Sequence, residues 1–271
     1  MPTTEELPSA ATATSDWLGL EGARVLIVGA GGIGEECAEG FLAAGASVLV
    51  ADRDQARLDL LGGKHETAKD RVENAPILVT MQADLAEPGA GARVVERAID
   101  TLGGLDVLLH CIGMNDRRPV LDFTEEEWER VMRTNLSTAF GVAQAAGRHM
   151  VEQKRGRIVV LSSVSGLLAH KNHGPYAASK GGLNQMMRVM AAEWASSGVT
   201  VNAVAPGYIE TPLTADYLKK PGVRDDLVRL VPAGRLGVPA EVVGPVLFLA
   251  SAHSQFITGH IMYIDGGRTL V

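Results

Sequence analysis

The sequence contains only two cysteines, Cys37 and Cys111, among its 271 residues. Their spacing does not match a set of metal ligands, so we expect two buried free thiols and no metal site. Unpaired thiols are typical of a reducing compartment, which predicts a cytoplasmic protein.

Long apolar runs and basic clusters are also missing. Hydrophobic residues make up 46% of the chain, but none of the apolar stretches is long enough to span a bilayer, so we expect no membrane partner. The formal net charge is −7 without a Lys/Arg block, which argues against nucleic acid as a partner. Residues 1–16 lack the basic start and apolar core of a secretory signal and predict a flexible tail.

Short apolar runs alternate with helical patterns along the rest of the chain. They cover residues 24–28, 47–51, 77–82, 106–110, 157–161, 200–205 and 261–264. Continuous apolar runs are typical of parallel strands buried on both faces. The pattern predicts one α/β domain over residues 17–271, a doubly wound (Rossmann) seven-stranded parallel sheet with helices on both faces. Residues 208–235 are interrupted by prolines and follow a strand end, so we expect a substrate lid there.

A glycine-rich turn follows the first apolar run. The run Gly29-Ala30-Gly31-Gly32-Ile33-Gly34 matches G-x-G-x-x-G and precedes a helical pattern. In this context the glycines allow a tight turn and let a pyrophosphate approach a helix N-terminus. The turn therefore predicts a dinucleotide site that includes Gly29, Gly31, Gly32, Ile33 and Gly34.

The second apolar run is followed by Asp52, about 20 residues beyond the glycines. A carboxylate at this position accepts hydrogen bonds from both ribose hydroxyls of adenosine and repels a 2′-phosphate. Asp52 therefore favours NAD over NADP. Arg53 is the counter-argument, because a guanidinium beside the ribose can hold that phosphate.

Tyr176 and Lys180 are four residues apart on a predicted helix, and Ser162-Ser163 ends the strand before it. An unperturbed tyrosine has a pKa of about 10 and is a poor acid or base at neutral pH. A lysine ammonium one helical turn away stabilises the phenolate. The arrangement predicts a proton-transfer site that uses Tyr176.

These features together resemble the short-chain dehydrogenase/reductase family over residues 22–267, and Ser163 lies 13 residues before Tyr176, as is usual in that family. Arg117-Arg118-Pro119, Trp128 and residues 232–235 are most similar to the gluconate 5-dehydrogenase-type branch. The further matching motifs are Asp84-Leu85, Asn135-Leu136, Pro206-Gly207, Thr211, Ile257-Thr258-Gly259 and Asp265-Gly266-Gly267.

The resemblance implies a catalytic tetrad of Asn135, Ser163, Tyr176 and Lys180. Tyr176 would transfer the proton, Ser163 would bind the substrate oxygen, Lys180 would lower the tyrosine pKa and hold the nicotinamide ribose, and Asn135 would position a water. It also implies a homotetramer or homodimer. The other cofactor residues that it implies are Asp84, Leu85, Gly113, Pro206, Gly207, Ile209 and Thr211. Asp84 and Thr211 could instead be plain helix caps.

Two departures from the family pattern affect the expected cofactor geometry. Val28 replaces the usual threonine, and the glycine turn is one residue short. His110-Cys111 replaces two asparagines after the fourth strand, so His110 needs a hydrogen-bond partner; a structural role is favoured over a catalytic one. Because the threonine and an asparagine bind each other in the family, their joint loss could be nearly neutral.

Four further residues are candidates for substrate binding: Arg117, Arg118, His170 and His173. Guanidinium groups suit a carboxylate or phosphate, although this loop could equally be solvated or contact another subunit. The sequence predicts an NAD-dependent oxidoreductase, with NADP possible, that interconverts a secondary alcohol and a ketone on a sugar acid or polyol. The alternatives are a 3-oxoacyl thioester reductase, which would more naturally use NADPH, and a catalytically silent NAD-binding protein.

Overall fold

The computed structural model describes residues 16–65 and 75–271. Its sheet contains seven parallel strands in the order β3-β2-β1-β4-β5-β6-β7, which confirms the predicted fold. The predicted tail lies outside the described residues except for Asp16, whose carboxylate accepts from the amides of Leu20 and Glu21. The strands are β1 Arg24–Val28, β2 Ser47–Asp52, β3 Leu78–Gln82, β4 Val107–His110, β5 Gly156–Leu161, β6 Val199–Pro206 and β7 Ile261–Ile264.

Nine α-helices connect and cover the strands in the described part of the chain. They are α1 Gly32–Ala43, α2 Gln55–Gly63, α3 Ala90–Leu102, α4 Glu125–Met132, α5 Thr138–Gln153, α6 Gly174–Trp194, α7 Pro212–Leu218, α8 Val223–Arg229 and α9 Ala240–Ala250. None of the helices in residues 16–65 and 75–271 is both long enough and apolar enough to cross a membrane.

The apolar strands supply a core on each side of the sheet. In β1, Leu26 and Val28 pack on one face, against residues of α3, α5 and α6. Val25 and Ile27 pack on the other face, against residues of α1, α2 and α9. Alternate side chains of a strand point to opposite faces, so burial on both sides explains why the strands are almost uniformly apolar.

The strand order reverses between β1 and β4. From β1 the chain moves outward through β2 and β3, and it then returns to place β4 on the other side of β1. The turns that leave β1 and β4 therefore separate at the carboxyl end of the sheet and open a crevice there. This crevice contains the candidate site.

Two local features near the crevice differ from regular helix. The segment Arg133–Ser137 between α4 and α5 is a π-helical turn, and it contains Asn135. Such turns are rare and often occur at functional sites. The predicted lid at residues 208–235 contains the two short helices α7 and α8.

Candidate active site

The glycine turn brings the backbone of β1 close to α1 and to the residues after β4. Gly29 has a φ of +102°, and a Cβ there would lie 3.0 Å from the Cys111 carbonyl carbon. A Cβ on Gly34 would lie 1.9 Å from the Gly29 carbonyl oxygen. Only glycine is compatible with these contacts, so the shortened turn keeps the close packing that exposes the N-terminus of α1.

Asp52, at the end of β2, is fixed beside this turn by two backbone hydrogen bonds. Its Oδ2 accepts from the Ala30 amide at 2.7 Å, and its Oδ1 accepts from the Asp54 amide at 2.9 Å. Each oxygen keeps a second lone pair that could accept from a ribose hydroxyl. Arg53 and Arg57 line the same cleft, so carboxylate and guanidinium groups are present together where the adenosine end of a dinucleotide would lie.

The cleft above the glycine turn has a volume of about 410 Å³. Asp84 lines it, and its carboxylate accepts from the Ala86 amide at 2.9 Å within a turn. The next helix, α3, begins at Ala90 with Gly89 as its N-cap, so Asp84 is not a helix cap. Thr211, by contrast, is the N-cap of α7, and its amide donates to Thr214 Oγ1 at 2.9 Å. The predicted cofactor residues that line this cleft are Gly29, Gly31, Gly32, Ile33, Gly34, Asp52, Asp84, Leu85, Gly113 and Thr211.

A second cavity, of about 290 Å³, is lined in part by residues of the predicted lid, and we call it the lid cavity. Ser163, Tyr176 and the predicted cofactor residues Pro206, Gly207 and Ile209 line it. The two cavities share the lining residues Ile33, Leu161, Thr211 and Leu213. They therefore meet close to Ser163 and Tyr176.

Helix α6 positions Tyr176 and Lys180 on one face. Pro175 lies in its first turn, where the missing amide hydrogen is tolerated. The Tyr176 phenol hydrogen-bonds Ser163, and Ser163 Oγ also accepts from the Ser165 amide at 3.1 Å. Lys180 is buried; its Nζ donates to the Leu161 carbonyl at 2.7 Å and lies 5.8 Å from the centre of the Tyr176 ring. The structure thus brings the three predicted residues together.

The protonation of this group differs from the sequence expectation. Burial raises the pKa of Tyr176, against the lowering effects of the Ser163 hydrogen bond and the Arg117 charge. Burial also lowers the pKa of Lys180 to about 8. The sequence predicts a lowered pKa for Tyr176 through Lys180, whereas in this structure burial of the phenol is the largest effect and the pKa is raised.

Asn135 ties the π-helical turn to the loop after β4. Its Oδ1 accepts from the Met114 amide at 2.8 Å, and its Nδ2 donates to the Met114 carbonyl at 2.9 Å. Nδ2 also donates to Ser179 Oγ at 2.9 Å, and that hydroxyl donates to the Tyr176 carbonyl at 2.7 Å. The side chain therefore holds the loop and the start of α6 in place, and its predicted role in positioning a water stays a prediction.

The two departures from the family pattern are accommodated at the ends of β1 and β4. Val28 pairs with His110 in the sheet. His110 Nε2 lies 3.0 Å from Thr138 Oγ1, and the Thr138 hydroxyl donates to the Thr134 carbonyl at 2.6 Å, so His110 Nε2 carries a hydrogen and donates it to Thr138. Burial, helped by the Lys180 charge, lowers the pKa of His110 to about 3. Cys111 lines the cofactor cleft, and burial raises its pKa to about 12.

The four candidate substrate residues separate into two groups. Arg117, His170 and His173 line the lid cavity. Arg117 Nε donates to His173 Nε2 at 3.2 Å, and its guanidinium lies 4.2 Å from the centre of the Tyr217 ring. Arg118 instead pairs with Asp116 at 2.7 Å and Glu127 at 2.6 Å, outside that lining.

His170 lies between Ser165, which follows β5, and Tyr208 of the predicted lid. Its Nδ1 lies 3.0 Å from Ser165 Oγ, and its Nε2 lies 3.4 Å from the Tyr208 hydroxyl. Burial, with the nearby His173 and Arg268 charges, lowers the pKa of His170 to about 4. The ring is therefore neutral near pH 7 and offers the cavity no positive charge.

Sequence analysis missed several residues that line the two cavities. Arg57 lies over the turn, with Nη1 3.2 Å from the position of a Cβ on Gly31. Asn115, Tyr208 and Tyr217 line the lid cavity. A helical position three residues into α2 carries no signal that it faces a ligand. Asn115, by contrast, lies two residues before Arg117 in the segment that follows β4, and that placement could have identified it.

Comparison with known proteins gives matches over almost the whole chain. A family model described as enoyl-(acyl carrier protein) reductase matches residues 28–269. Gluconate 5-dehydrogenase of Gluconobacter oxydans (strain 621H) is 35% identical over 256 residues, covering 94% of this chain and 98% of that protein. A 3-oxoacyl-(acyl carrier protein) reductase of Thermotoga maritima is 37% identical over 252 residues, covering 93% and 99% respectively. The crystal structure of a gluconate 5-dehydrogenase from Burkholderia cenocepacia J2315 in complex with NADP and tartrate superposes with a TM-score of 0.87 at 34% identity, covering 94% of this chain and 98% of that one.

Proposed function

Since the chain belongs to the short-chain dehydrogenase/reductase family, we propose that it is an NAD(P)-dependent oxidoreductase that interconverts a secondary alcohol and a ketone on a sugar acid or polyol. The observation that carries this proposal is the position of the hydrogen-bonded Ser163 and Tyr176 where the glycine-turn cleft meets the lid cavity. A dinucleotide above the glycine turn and a substrate under the lid would meet beside these two hydroxyl groups.

The reaction moves a hydride and a proton from the alcohol. A bound nicotinamide supplies the hydride acceptor in oxidation and the hydride donor in reduction. Tyr176 accepts the hydroxyl proton during oxidation and returns it during reduction, and Ser163 hydrogen-bonds the substrate oxygen. Lys180 lies one helical turn from Tyr176, where it would hold the ribose hydroxyls and favour the phenolate. Residues 208–235 form the proposed lid that limits water at this point.

The acidic substrate class rests on Arg117. Burial lowers the pKa of its guanidinium, and none of its contacts in the described part of the chain is a carboxylate within 4.0 Å. A desolvated guanidinium is stabilised by an anionic ligand, and a carboxylate matches its paired donors. The adjacent Arg118 already has two carboxylate partners, so the proposal uses Arg117 alone.

The test compares Arg117→Met with the matched control Arg118→Met, using D-gluconate and the neutral polyol D-sorbitol as substrates. Arg117→Met should weaken the binding of D-gluconate by about 2–5 kcal/mol, the effect expected when one partner of a buried charge pair is lost. The loss should lie mainly in KM, since a remote contact is made equally in ground and transition states. Arg118→Met should leave kcat and KM unchanged for both substrates. Equal losses for acid and polyol in Arg117→Met would contradict the proposal.

We also propose that NAD is preferred over NADP, with Asp52 as the discriminating residue. Its carboxylate is held by two backbone amides and would oppose a 2′-phosphate at the ribose. The Burkholderia relative was crystallised with NADP, and Arg53 and Arg57 line the cleft of this chain. A direct comparison of kcat/KM for NAD and NADP with the unmodified protein decides between them.

A 3-oxoacyl thioester reductase is the second candidate. It is supported by the similarity to the Thermotoga enzyme and by a group of leucines in the lid cavity, Leu213, Leu218, Leu227 and Leu236. Turnover of acetoacetyl thioesters with NADPH, faster than that of any hexonate or polyol, would favour it.

The proposed assembly is a homotetramer, with a dimer second, and the proposed location is the cytoplasm, which suits the two free thiols.

A further inference from the structure

The loop after β4 directs alternate side chains to opposite sides. Asn115 and Arg117 line the lid cavity. Asp116 and Arg118 point away from it and pair with each other at 2.7 Å. This is the alternation of an extended segment. Two neighbouring side chains on the cavity side are therefore presented together to one ligand.

The loop is fixed at both ends. Asn135 binds the amide and the carbonyl of Met114, directly before Asn115. At the other end, the Arg118 amide donates to the Asn172 carbonyl at 3.1 Å. A site held in this way binds a ligand with less loss of conformational freedom than a mobile loop would. The positions of Asn115 and Arg117 relative to Tyr176 are thus set before substrate arrives.

The buried end of the Asn115 carboxamide has no hydrogen-bond partner among the residues that the structure describes. Its Oδ1 is shielded from solvent and unpaired although it belongs to a cavity wall. Buried polar groups in folded proteins are nearly always paired, so this amide is held without the partners it could have. A ligand in the cavity would meet the end of the carboxamide that lines the cavity wall. A hydroxyl satisfies this group in either orientation of the amide, because a hydroxyl both donates and accepts.

His173 separates this pair from the reacting centre. Its Nε2 accepts from Arg117 Nε at 3.2 Å, its Nδ1 donates to the Lys171 carbonyl at 2.9 Å, and its ring centre lies 6.2 Å from that of Tyr176. Because His173 contacts both Arg117 and Tyr176, a carboxylate on Arg117 and a carbinol at Tyr176 would be set apart by about the width of the imidazole. Such a spacing would place the oxidised carbon several bonds from the carboxylate.

We propose that Asn115 binds the hydroxyl next to the substrate carboxylate and so selects 2-hydroxy acids that are oxidised at a carbon further along the chain. This inference rests on the proposed function, in which Arg117 holds the carboxylate. Asn115 is a specificity-determining residue that contacts a hydroxyl which does not react.

The experiment measures kcat and KM for D-gluconate and 2-deoxy-D-gluconate with the unmodified protein, Asn115→Leu and the control Asp116→Asn. Asn115→Leu should lower kcat/KM for D-gluconate by about 3- to 10-fold, the value of one net hydrogen bond, and mainly through KM. The value for 2-deoxy-D-gluconate should stay unchanged or rise. Asp116→Asn, on the outer side of the same loop, should keep the discrimination of the unmodified protein. If the 2-deoxy acid is not oxidised, its inhibition constant against D-gluconate replaces kcat/KM.

A thermal melt separates this role from a structural one. Because the Asn115 oxygen is unpaired, Asn115→Leu should melt at the same temperature as the unmodified protein or higher. Equal losses for both acids, no loss for either, or a lower melting temperature with both activities reduced would overturn the inference while leaving the proposed function intact. A protein that oxidises no hexonate at all would overturn both.

Discussion

Tyr176 has to change its protonation state in a cavity that disfavours the charged form. Burial raises its pKa, while the Ser163 hydrogen bond and the Arg117 charge act in the opposite direction. Lys180 is buried as well, which lowers its pKa to about 8. Both side chains are thus closer to neutral than in water. The Arg117 guanidinium and the Tyr176 phenol are also coupled electrostatically.

Replacing Tyr176 with Phe removes the proton-transfer group and keeps the ring. We expect kcat to fall by about 10²–10⁴-fold, the usual contribution of general acid/base catalysis. Titration of the reduced cofactor by fluorescence should show binding close to that of the unmodified protein. Tyr263→Phe on β7 is the matched control and should keep normal turnover. A Tyr176→Phe protein with near-normal kcat would remove Tyr176 from the mechanism.

His110 should make the protein sensitive to acid. Its pKa in the folded chain is about 3, below its ordinary value of 6.5, because burial opposes the charged ring. Between these values the unfolded chain binds a proton that the folded chain does not, so the free energy of unfolding falls as pH decreases. The slope reaches about 1.4 kcal/mol per pH unit for one group.

The measurement is urea unfolding of His110→Asn and the unmodified protein at pH 7, 6 and 5. The variant should lose less free energy of unfolding over this range, whatever its stability at pH 7. His260→Gln, at an exposed position, serves as the control and should keep the original slope. Identical slopes for His110→Asn and the unmodified protein would contradict the assigned pKa.

At the scale of elements, the connection from β2 to α2 combines opposing charges around the expected ribose position. Asp52 Oδ2 binds the Ala30 amide of the glycine turn. Arg57 lies over Gly31 and pairs with Asp54 at 3.2 Å. The carboxylate disfavours a 2′-phosphate and the guanidinium favours it. Cofactor preference therefore depends on which of the two charges lies closer to the ribose.

Asp52→Ser should lower the preference for NAD and raise kcat/KM for NADP. The substitution removes the negative charge that would repel a 2′-phosphate, and the serine hydroxyl can still accept a hydrogen bond. Adding Arg57→Ala should remove most of the gain for NADP without restoring NAD. The ratio of kcat/KM for the two cofactors measures both effects, and a thermal melt checks that the glycine turn survives loss of the carboxylate. An unmodified protein that already prefers NADP would refute the assignment of Asp52.

The sequence predicts the strands and the catalytic helix well because they depend on local patterns. Seven apolar runs became seven strands, and no strand end differs from its predicted position by more than one residue. The four-residue spacing of Tyr176 and Lys180 required only that the segment be helical. By contrast, the ion pairs of Arg118 with Asp116 and Glu127 depend on how the loop after β4 meets α4. That contact is tertiary, so adjacent arginines with different partners look the same in sequence.

At the scale of the whole molecule, the described chain leaves several large apolar side chains in solvent. Leu121 is 97% exposed, and Phe256 is fully exposed. Val120 and Trp128 line an apolar surface near Pro175. Strand β7, which follows Phe256, ends the sheet and pairs only with β6 in the described residues. Exposed apolar side chains at separate places suit contacts with further copies of the chain.

We expect a closed homotetramer, since self-association with two different contact surfaces builds a dimer of dimers. Light scattering at micromolar concentration should give a mass close to four times 28.6 kDa. Leu121→Ser and Phe256→Ser each replace an exposed apolar group, so each should leave the folded chain intact and shift the mass toward a dimer. Helix α9, which contains residues 241–250, is expected at such a contact. Its inner side packs on the core through Val242, Val246 and Leu249. A monomeric mass for the unmodified protein would contradict the prediction. It would mean that Leu121 and Phe256 remain in contact with water.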